Sequence, residues 1–179
     1  MHLETERLLI RDFESYDESQ LRKIIWQENV VRFMKDWSEN SLVPGRLSGY
    51  IEWLKTQSDS TDVYENKRYA VVLKENNMLI GMVGMGIEEN LNEVEMAYFI
   101  DEDYRGLGYA PEALKCLCDW CLSVSDIHYL ILTIDCENQA SSKVAEKSGF
   151  ELFEKRTPIN HKQPNMVSDS YYYYRKYKD

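Results

Sequence analysis

The period of the apolar positions changes several times along the chain, and each change marks an element. Residues 7–13, "RLLIRDF", alternate apolar and polar side chains and read as a first strand. "DESQLRKIIWQENV" then sets Leu21, Ile24 and Ile25 at helical spacing, with Asp17 as the expected N-cap. A second helix, "LSGYIEWLKTQ", aligns Leu47, Tyr50, Ile51 and Leu54, while "MKDWSENSLVPGR" between the two reads as loop. After the polar connection "SDSTDVYENK" the period shortens. "RYAVVLK", "MLIGMVGMGI" and "NEVEMAYFI" predict three strands of an antiparallel meander, and the three glycines of the middle one predict bulges or close neighbours. A helix from Pro111 to about Ser123 follows, then the strand "YLILTIDC" and a short helix with Asn138 as cap and Gly149 as stop. "FELFEKR" and "SYYYYRKY" are the last strands, separated by the loop "TPINHKQPNMVSD". The order β-α-α-β-β-β-α-β-α-β-β predicts a mixed α/β sheet with helices packed on it.

One stretch departs from these periods. "DYRGLGYAPEAL" places Gly106 and Gly108 between Arg105 and a helix begun by Pro111. Proline suits a first helical turn, where its missing N–H costs nothing, and Glu112 suits the positive end of the helix dipole. Residues 105–110 therefore feed a helix N-terminus whose first amides have no internal partner. Such a concavity binds phosphate: glycines keep Cβ atoms away and Arg105 adds a guanidinium. A tight turn whose glycines supply positive φ is the other reading, and spacing alone divides evenly between them. No Lys-Ser/Thr pair follows, so this is not a P-loop, and the third glycine of a dinucleotide fingerprint is missing.

The order of elements separates the two. The strand "EVEMAYFI", this loop, its helix and "YLILTIDCENQASSKVAEKSGF" together resemble the GNAT N-acetyltransferase superfamily. The loop matches the family's Arg/Gln-x-x-Gly-x-Gly/Ala pattern at Arg105, Gly108 and Ala110. The downstream segment matches at Asn138, Ser141 or Ser142, Glu146, Lys147, Gly149 and Phe150. The opening "LETERLLIRDFESYD" is similar to the start of the ribosomal-protein (RimJ/RimL-like) branch. Three motifs in order, over nearly the whole chain, make the resemblance specific. It implies the GNAT fold: an α/β (α+β), mostly antiparallel sheet of about seven strands, splayed between strands four and five and flanked by about four helices. It also implies acetyl-CoA as co-substrate, an amine acceptor and no metal.

By that resemblance the loop Arg105, Gly106, Leu107, Gly108, Tyr109 and Ala110 wraps the pyrophosphate of coenzyme A. The pantetheine arm then pairs with the edge of strand four at Tyr98, Phe99 and Ile100, with contacts from Asn138, Ser142 and Lys147. Asn138 can serve as cap and contact together. Direct transfer to an amine of pKa about 10.4 needs a base, and a strand N–H near Phe99 or Ile100 is the expected donor to the oxyanion. Glu95 is the expected catalytic base; its other reading is a solvated or salt-bridged strand carboxylate. Thr133 and Asp135 on the fifth strand are alternatives, with Cys136 and Ser142 behind them. The family's tyrosine four residues before the glycine of Gly-Phe is here Ala145, so another group, or water, protonates the leaving sulfur unless it departs as thiolate. Ala97-Tyr98 stands where Gly-Tyr is common in this branch. The acceptor pocket is expected from Trp26, Phe33, Trp37, Trp53 and Tyr171–Tyr174, with alternate tyrosines facing one side. A non-catalytic acyl-CoA-binding module is the rival from another class.

Composition narrows the setting. Of 179 residues, 44% are hydrophobic and 12% aromatic, enough for one packed domain over residues 1–179. A formal charge of −10 argues against nucleic acid and anionic membranes as partners and favours a cationic acceptor. No apolar run reaches the roughly 20 residues of a membrane span, and the charged opening is unlike a signal peptide. A cytoplasmic protein is expected, with a homodimer left open. Cys118 and Cys121 fall on one helical stripe with Leu114 and Leu117, which predicts core thiols rather than ligands. His2, His128 and His161 have no metal-ligand spacing.

Overall fold

The computed structural model describes residues 1–57, 60–157 and 167–178. Its strands are β1 (His2–Glu4), β2 (Leu8–Arg11), β3 (Lys67–Leu73), β4 (Leu79–Glu88), β5 (Glu93–Ile100), β6 (Tyr129–Asp135), β7 (Glu151–Arg156) and β8 (Tyr171–Tyr177). The helices are α1 (Glu18–Ile25), α2 (Glu28–Phe33), α3 (Asp36–Ser41), α4 (Arg46–Thr56), α5 (Tyr109–Val124) and α6 (Gln139–Lys147). All eight strands form one sheet in the order β1-β2-β3-β4-β5-β6-β8-β7. Every neighbouring pair is antiparallel except β5 and β6, which are parallel and share one registered pair, Glu95 with Ile131. This is the expected mixed sheet. The additional strand is the short β1, so the expected splay between strands four and five lies between β5 and β6.

The two faces of the sheet carry separate cores. On one, α5 lays Leu114, Leu117, Cys118 and Cys121 against Val83, Val94 and Met96, with Tyr174 and Phe150 at the far end. Each large apolar side chain buried this way is worth about 1.5–3 kcal/mol. Cys118 and Cys121 are core thiols, and burial raises the pKa of Cys121 to about 12. On the other face, α1, α2 and α4 bring Leu21, Ile24, Val30 and Ile51 over Val72, Met82 and Phe99. The β8 tyrosines alternate as expected: Tyr172 and Tyr174 join the α5 side, Tyr171 and Tyr173 the opposite face.

Two local readings change. The segment 17–30 is two helices, because Gln27 is extended and its side chain leaves the helix. Gln27 Nε2 donates to Asp101 Oδ1 at 2.8 Å, and its Oε1 accepts from the Glu102 amide at 2.9 Å. Segment 34–46, expected as loop, contains α3; the Trp26 indole donates to Ser41 Oγ at 3.1 Å and fixes it from outside. Asp17 precedes α1 but makes no side-chain cap. It instead pairs with Arg11 at 2.6 Å and accepts from the Glu14 amide at 2.8 Å. Of the loop expected over residues 157–169, residues 158–166, including His161, lie outside the described residues.

Candidate active site

The glycine loop lies where β5 ends. Asp101, buried, is held by Gln20 and Gln27 from the helical layer and caps the turn before Arg105. Gly106 and Gly108 have φ of 77° and 86°, a region costing other residues about 1–2 kcal/mol. Gly108 is the N-cap of α5. The amides of Gly106, Leu107, Gly108, Tyr109 and Ala110 donate to no protein acceptor among the described residues. Positive φ at the glycines turns the chain, and the turn leaves a row of unpaired donors.

Glu112 does more than face a helix dipole. It accepts from Thr5 Oγ1 at 2.5 Å, from the Arg7 amide at 3.0 Å and from Arg7 Nε at 2.7 Å. Arg7 also donates to the Leu107 carbonyl at 2.9 Å and stacks over Tyr109. The opening segment thereby clamps the outside of the loop. These hydrogen bonds hold Glu112 below the usual carboxylate range against the opposing effect of burial.

Inside the loop is a cavity of about 300 Å3 lined by Arg105, Gly106, Gly108, Tyr109 and Ala110 at one end and by Tyr98, Phe99 and Ile100 along β5. Asn138, Lys143 and Lys147 close it from the side of α6. Lys143, one helical turn before Lys147, was missed in the sequence; its i, i+4 spacing is the signal that could have found it. Arg105 donates to the Ile100 carbonyl at 3.1 Å and to Asn29, so it ties the loop to β5 and α2. The Leu107 side chain is exposed and outside this lining, and its carbonyl accepts from Arg7. Asn138 Oδ1 accepts from the Ser141 amide at 3.2 Å, so the cap and the cavity wall are one residue. Ser141 lines the cavity, whereas Ser142 is buried away from it with an unpartnered hydroxyl.

A second cavity, of about 240 Å3, continues from the first and shares Phe33, Met34, Tyr98, Asn138 and Ser141 with it. It opens because β5 and β6 separate beyond Glu95, leaving the edge of β5 from Met96 to Ile100 without a registered strand. Glu95, Thr133 and Asp135 all line it. Glu95 Oε1 accepts from the Thr133 amide at 3.1 Å and from the Thr133 hydroxyl. Burial raises the Glu95 pKa to about 7, against those two hydrogen bonds and the pull of Arg68. A carboxyl half charged near neutrality, open to a cavity, is suited to accept a proton.

The alternatives to Glu95 are engaged otherwise. Asp135 accepts from the Glu137, Val167 and Ser168 amides at 2.8, 2.6 and 2.8 Å, bonds that lower its pKa although burial opposes them. Cys136 receives the Ser170 hydroxyl at 3.3 Å. Ala145 is fully buried in the α5-side core, and the hydroxyl at the junction of the two cavities belongs to Tyr98, 2.6 Å from Ser141 Oγ. Burial raises the pKa of Tyr98, so it stays protonated at neutral pH. Of the aromatic residues expected near the acceptor, Phe33 lines both cavities and Trp37 a third. Trp26 and Trp53 line none of these three cavities and are 47% and 44% exposed.

Residues 7–151 match the family model described as the acetyltransferase (GNAT) domain. The uncharacterised N-acetyltransferase YnaD of Bacillus subtilis is 26% identical over 176 residues, spanning 97% of this chain and 95% of its own. Among solved structures, a GNAT-family acetyltransferase from Bacillus anthracis superposes with TM-score 0.77 at 22% identity, over 99% of this chain and 98% of its own. RimL, the ribosomal L7/L12 alpha-N-protein acetyltransferase in complex with coenzyme A, superposes with TM-score 0.76 at 16% identity, with the same coverage of 99% and 98%.

Proposed function

We propose that this chain, which belongs to the acetyltransferase (GNAT) family, transfers the acetyl group of acetyl-CoA to a primary amine by direct attack. The observation that carries this reading is the continuity of two cavities, running from the unpaired amides of residues 106–110 along the open edge of β5 to Glu95. One end suits a diphosphate and the other a proton acceptor.

The loop amides, with Lys143 and Lys147, hold the diphosphate, and the edge of β5 at Tyr98, Phe99 and Ile100 pairs with the pantetheine amides. Acetyl-CoA supplies an activated acyl carbon whose leaving group is a thiolate. An acceptor amine is mostly protonated at neutral pH, so its ammonium proton leaves to solvent first; the free lone pair then bonds to that carbon, and Glu95 takes the second proton from the nitrogen. The carbon–sulfur bond then breaks, and the Tyr98 hydroxyl returns a proton to sulfur in place of the tyrosine absent at position 145. The acceptor is a protein N-terminus or a small cationic amine, and Glu88 and Glu95 on the cavity wall favour its positive charge.

Amine-dependent release of free thiol from acetyl-CoA tests the reading. The proposal expects release with at least one class of primary amine. CoA binding by calorimetry without any amine-dependent release would assign the chain to non-catalytic acyl-CoA binding instead.

A further inference from the structure

On the helical side of the sheet, a cavity of about 380 Å3 lies beside the Glu95 cavity and meets it at Met34. Trp37 and Tyr50 supply its flat wall, with their rings edge to face at 5.5 Å. Its charged lining is Arg46, Arg68 and Asp36. Two guanidinium groups against one carboxylate, in a chain of net charge −10, make this a local inversion of sign.

Arg68 is the unusual member. It belongs to β3, and its register partners are Gly84 and, across β4, Ala97. A Cβ at position 84 would stand 2.5 Å from Arg68 Cδ, so the glycine lets the side chain lie flat across the sheet toward β5. Nη1 donates to the Lys67 and Met85 carbonyls at 2.8 and 2.7 Å. Nη2 and Nε donate to no protein acceptor, and no carboxylate lies within ion-pair distance, among the described residues. Burial lowers the Arg68 pKa, with only Tyr50 and Glu95 opposing from a distance. Arg68 is partly buried and lines the cavity, and without a counter-ion its Nε and Nη2 form a fork free of protein acceptors among the described residues.

We propose that this fork seats the carboxylate of the acceptor, which is therefore a small amino-acid-type amine: its carboxylate on Arg68, its carbon skeleton against Trp37 and Tyr50, its nitrogen toward Glu95 across Met34. The inference rests on the acetyltransferase reading and narrows its acceptor. Arg46 adds positive potential at the mouth, where Nη1 is held by Asn40 at 2.9 Å. Seating an anion on Arg68 also removes a cation's pull from Glu95, which makes the base stronger when the acceptor is in place.

Matched acceptors test this on the unaltered protein. Phenylalanine, phenylalaninamide and phenethylamine are compared by kcat/KM for thiol release, with the same comparison for leucine and alanine and with one short unblocked peptide. The inference expects the free acids to exceed their amides and decarboxylated amines by about 10- to 100-fold. Arg68→Met should abolish that preference while leaving CoA affinity unchanged, and Arg68→Lys should restore part of it. Amides or amines that match the acids overturn the inference, as do a preferred peptide, a variant that slows all acceptors alike, or a panel in which no free acid releases thiol. Thiol release from any of these acceptors would leave the acetyltransferase reading standing; loss of CoA binding by the unaltered protein would sink that reading itself.

Discussion

Thr133 donates its amide and its hydroxyl to one oxygen of Glu95, across the gap that opens where β5 and β6 part. Two donors on one oxygen fix the carboxylate's rotamer and leave the other oxygen for the cavity. A base needs both, a fixed position and an unused lone pair.

Replacing Glu95 with glutamine keeps an acceptor for Thr133 and removes the base. Turnover should fall about 100-fold or more, with CoA affinity unchanged within twofold. Steady-state rates beside calorimetric titration check this, and an unchanged rate removes Glu95 from the chemistry.

The pH dependence follows from the same carboxyl. The proposed transfer needs Glu95 deprotonated, so kcat/KM should fall as pH drops below about 7, and this loss should be absent from the residual rate of Glu95→Gln. Stability runs the other way. The folded protein binds this proton more tightly than the unfolded chain, so stability contributed by the protonated form is lost as pH rises from 4.5 to about 7. Above pH 7, Glu95→Gln should therefore be more stable than the unaltered protein, by about 1–2 kcal/mol after allowance for the side chain's partial exposure. Denaturant midpoints at pH 5 and 8 test the sign.

Glu112 gives the opposite sign. Its folded pKa is depressed, so its stabilisation is present above its unfolded value and lost as pH falls through the folded one. Glu112→Ala should lower stability by about 1–3 kcal/mol at pH 7, since the Arg7 amide and guanidinium and the Thr5 hydroxyl lose their shared acceptor. The difference should shrink in acid, which thermal melts at pH 7 and pH 3.5 would register.

Tyr98→Phe and the pair Ser141→Ala and Ser142→Ala separate neighbours along the cavity. Removing the Tyr98 hydroxyl should lower kcat about 10-fold with little effect on CoA affinity. Ser142→Ala should leave CoA affinity unchanged and stability equal or higher, because its buried hydroxyl has no partner. Ser141→Ala should weaken CoA binding. Equal effects of the two serine variants would restore Ser142 to the contacts expected for it.

The strands of the meander, the glycine loop and the capped helix α6 were legible because each is written locally. The alternation of "EVEMAYFI" carries through β5 without a bulge: Val94 and Met96 turn to the α5 core while Glu95 and Phe99 turn the other way. Gly149, at φ 84°, ends α6 with the Phe150 amide donating to the Ala145 carbonyl, as its position implied. What the sequence hid depends on distant partners. The break at Gln27 exists because Asp101 and Glu102, more than seventy residues on, hydrogen-bond its side chain. The helix α3 carries weak local propensity and is secured by Trp26. Arg68 read as the start of a strand, and only the register that brings Gly84 beside it shows a guanidinium lying open to a cavity.

The central claim is that bare backbone at the head of α5 holds the diphosphate and so aims the thioester toward Glu95. Valine at position 108 tests it most directly, because φ of 86° strains any side chain there and an added Cβ would press on Arg7 Nη2 at 3.3 Å. Calorimetric titration of the unaltered protein and Gly108→Val, each with CoA and with pantetheine, is the measurement. The account predicts CoA binding by the unaltered protein, at least about 100-fold weaker binding of pantetheine, and the same weak binding of CoA by a Gly108→Val protein with unaltered far-UV circular dichroism. CoA affinity retained in that variant, or pantetheine binding as tightly as CoA, would contradict it.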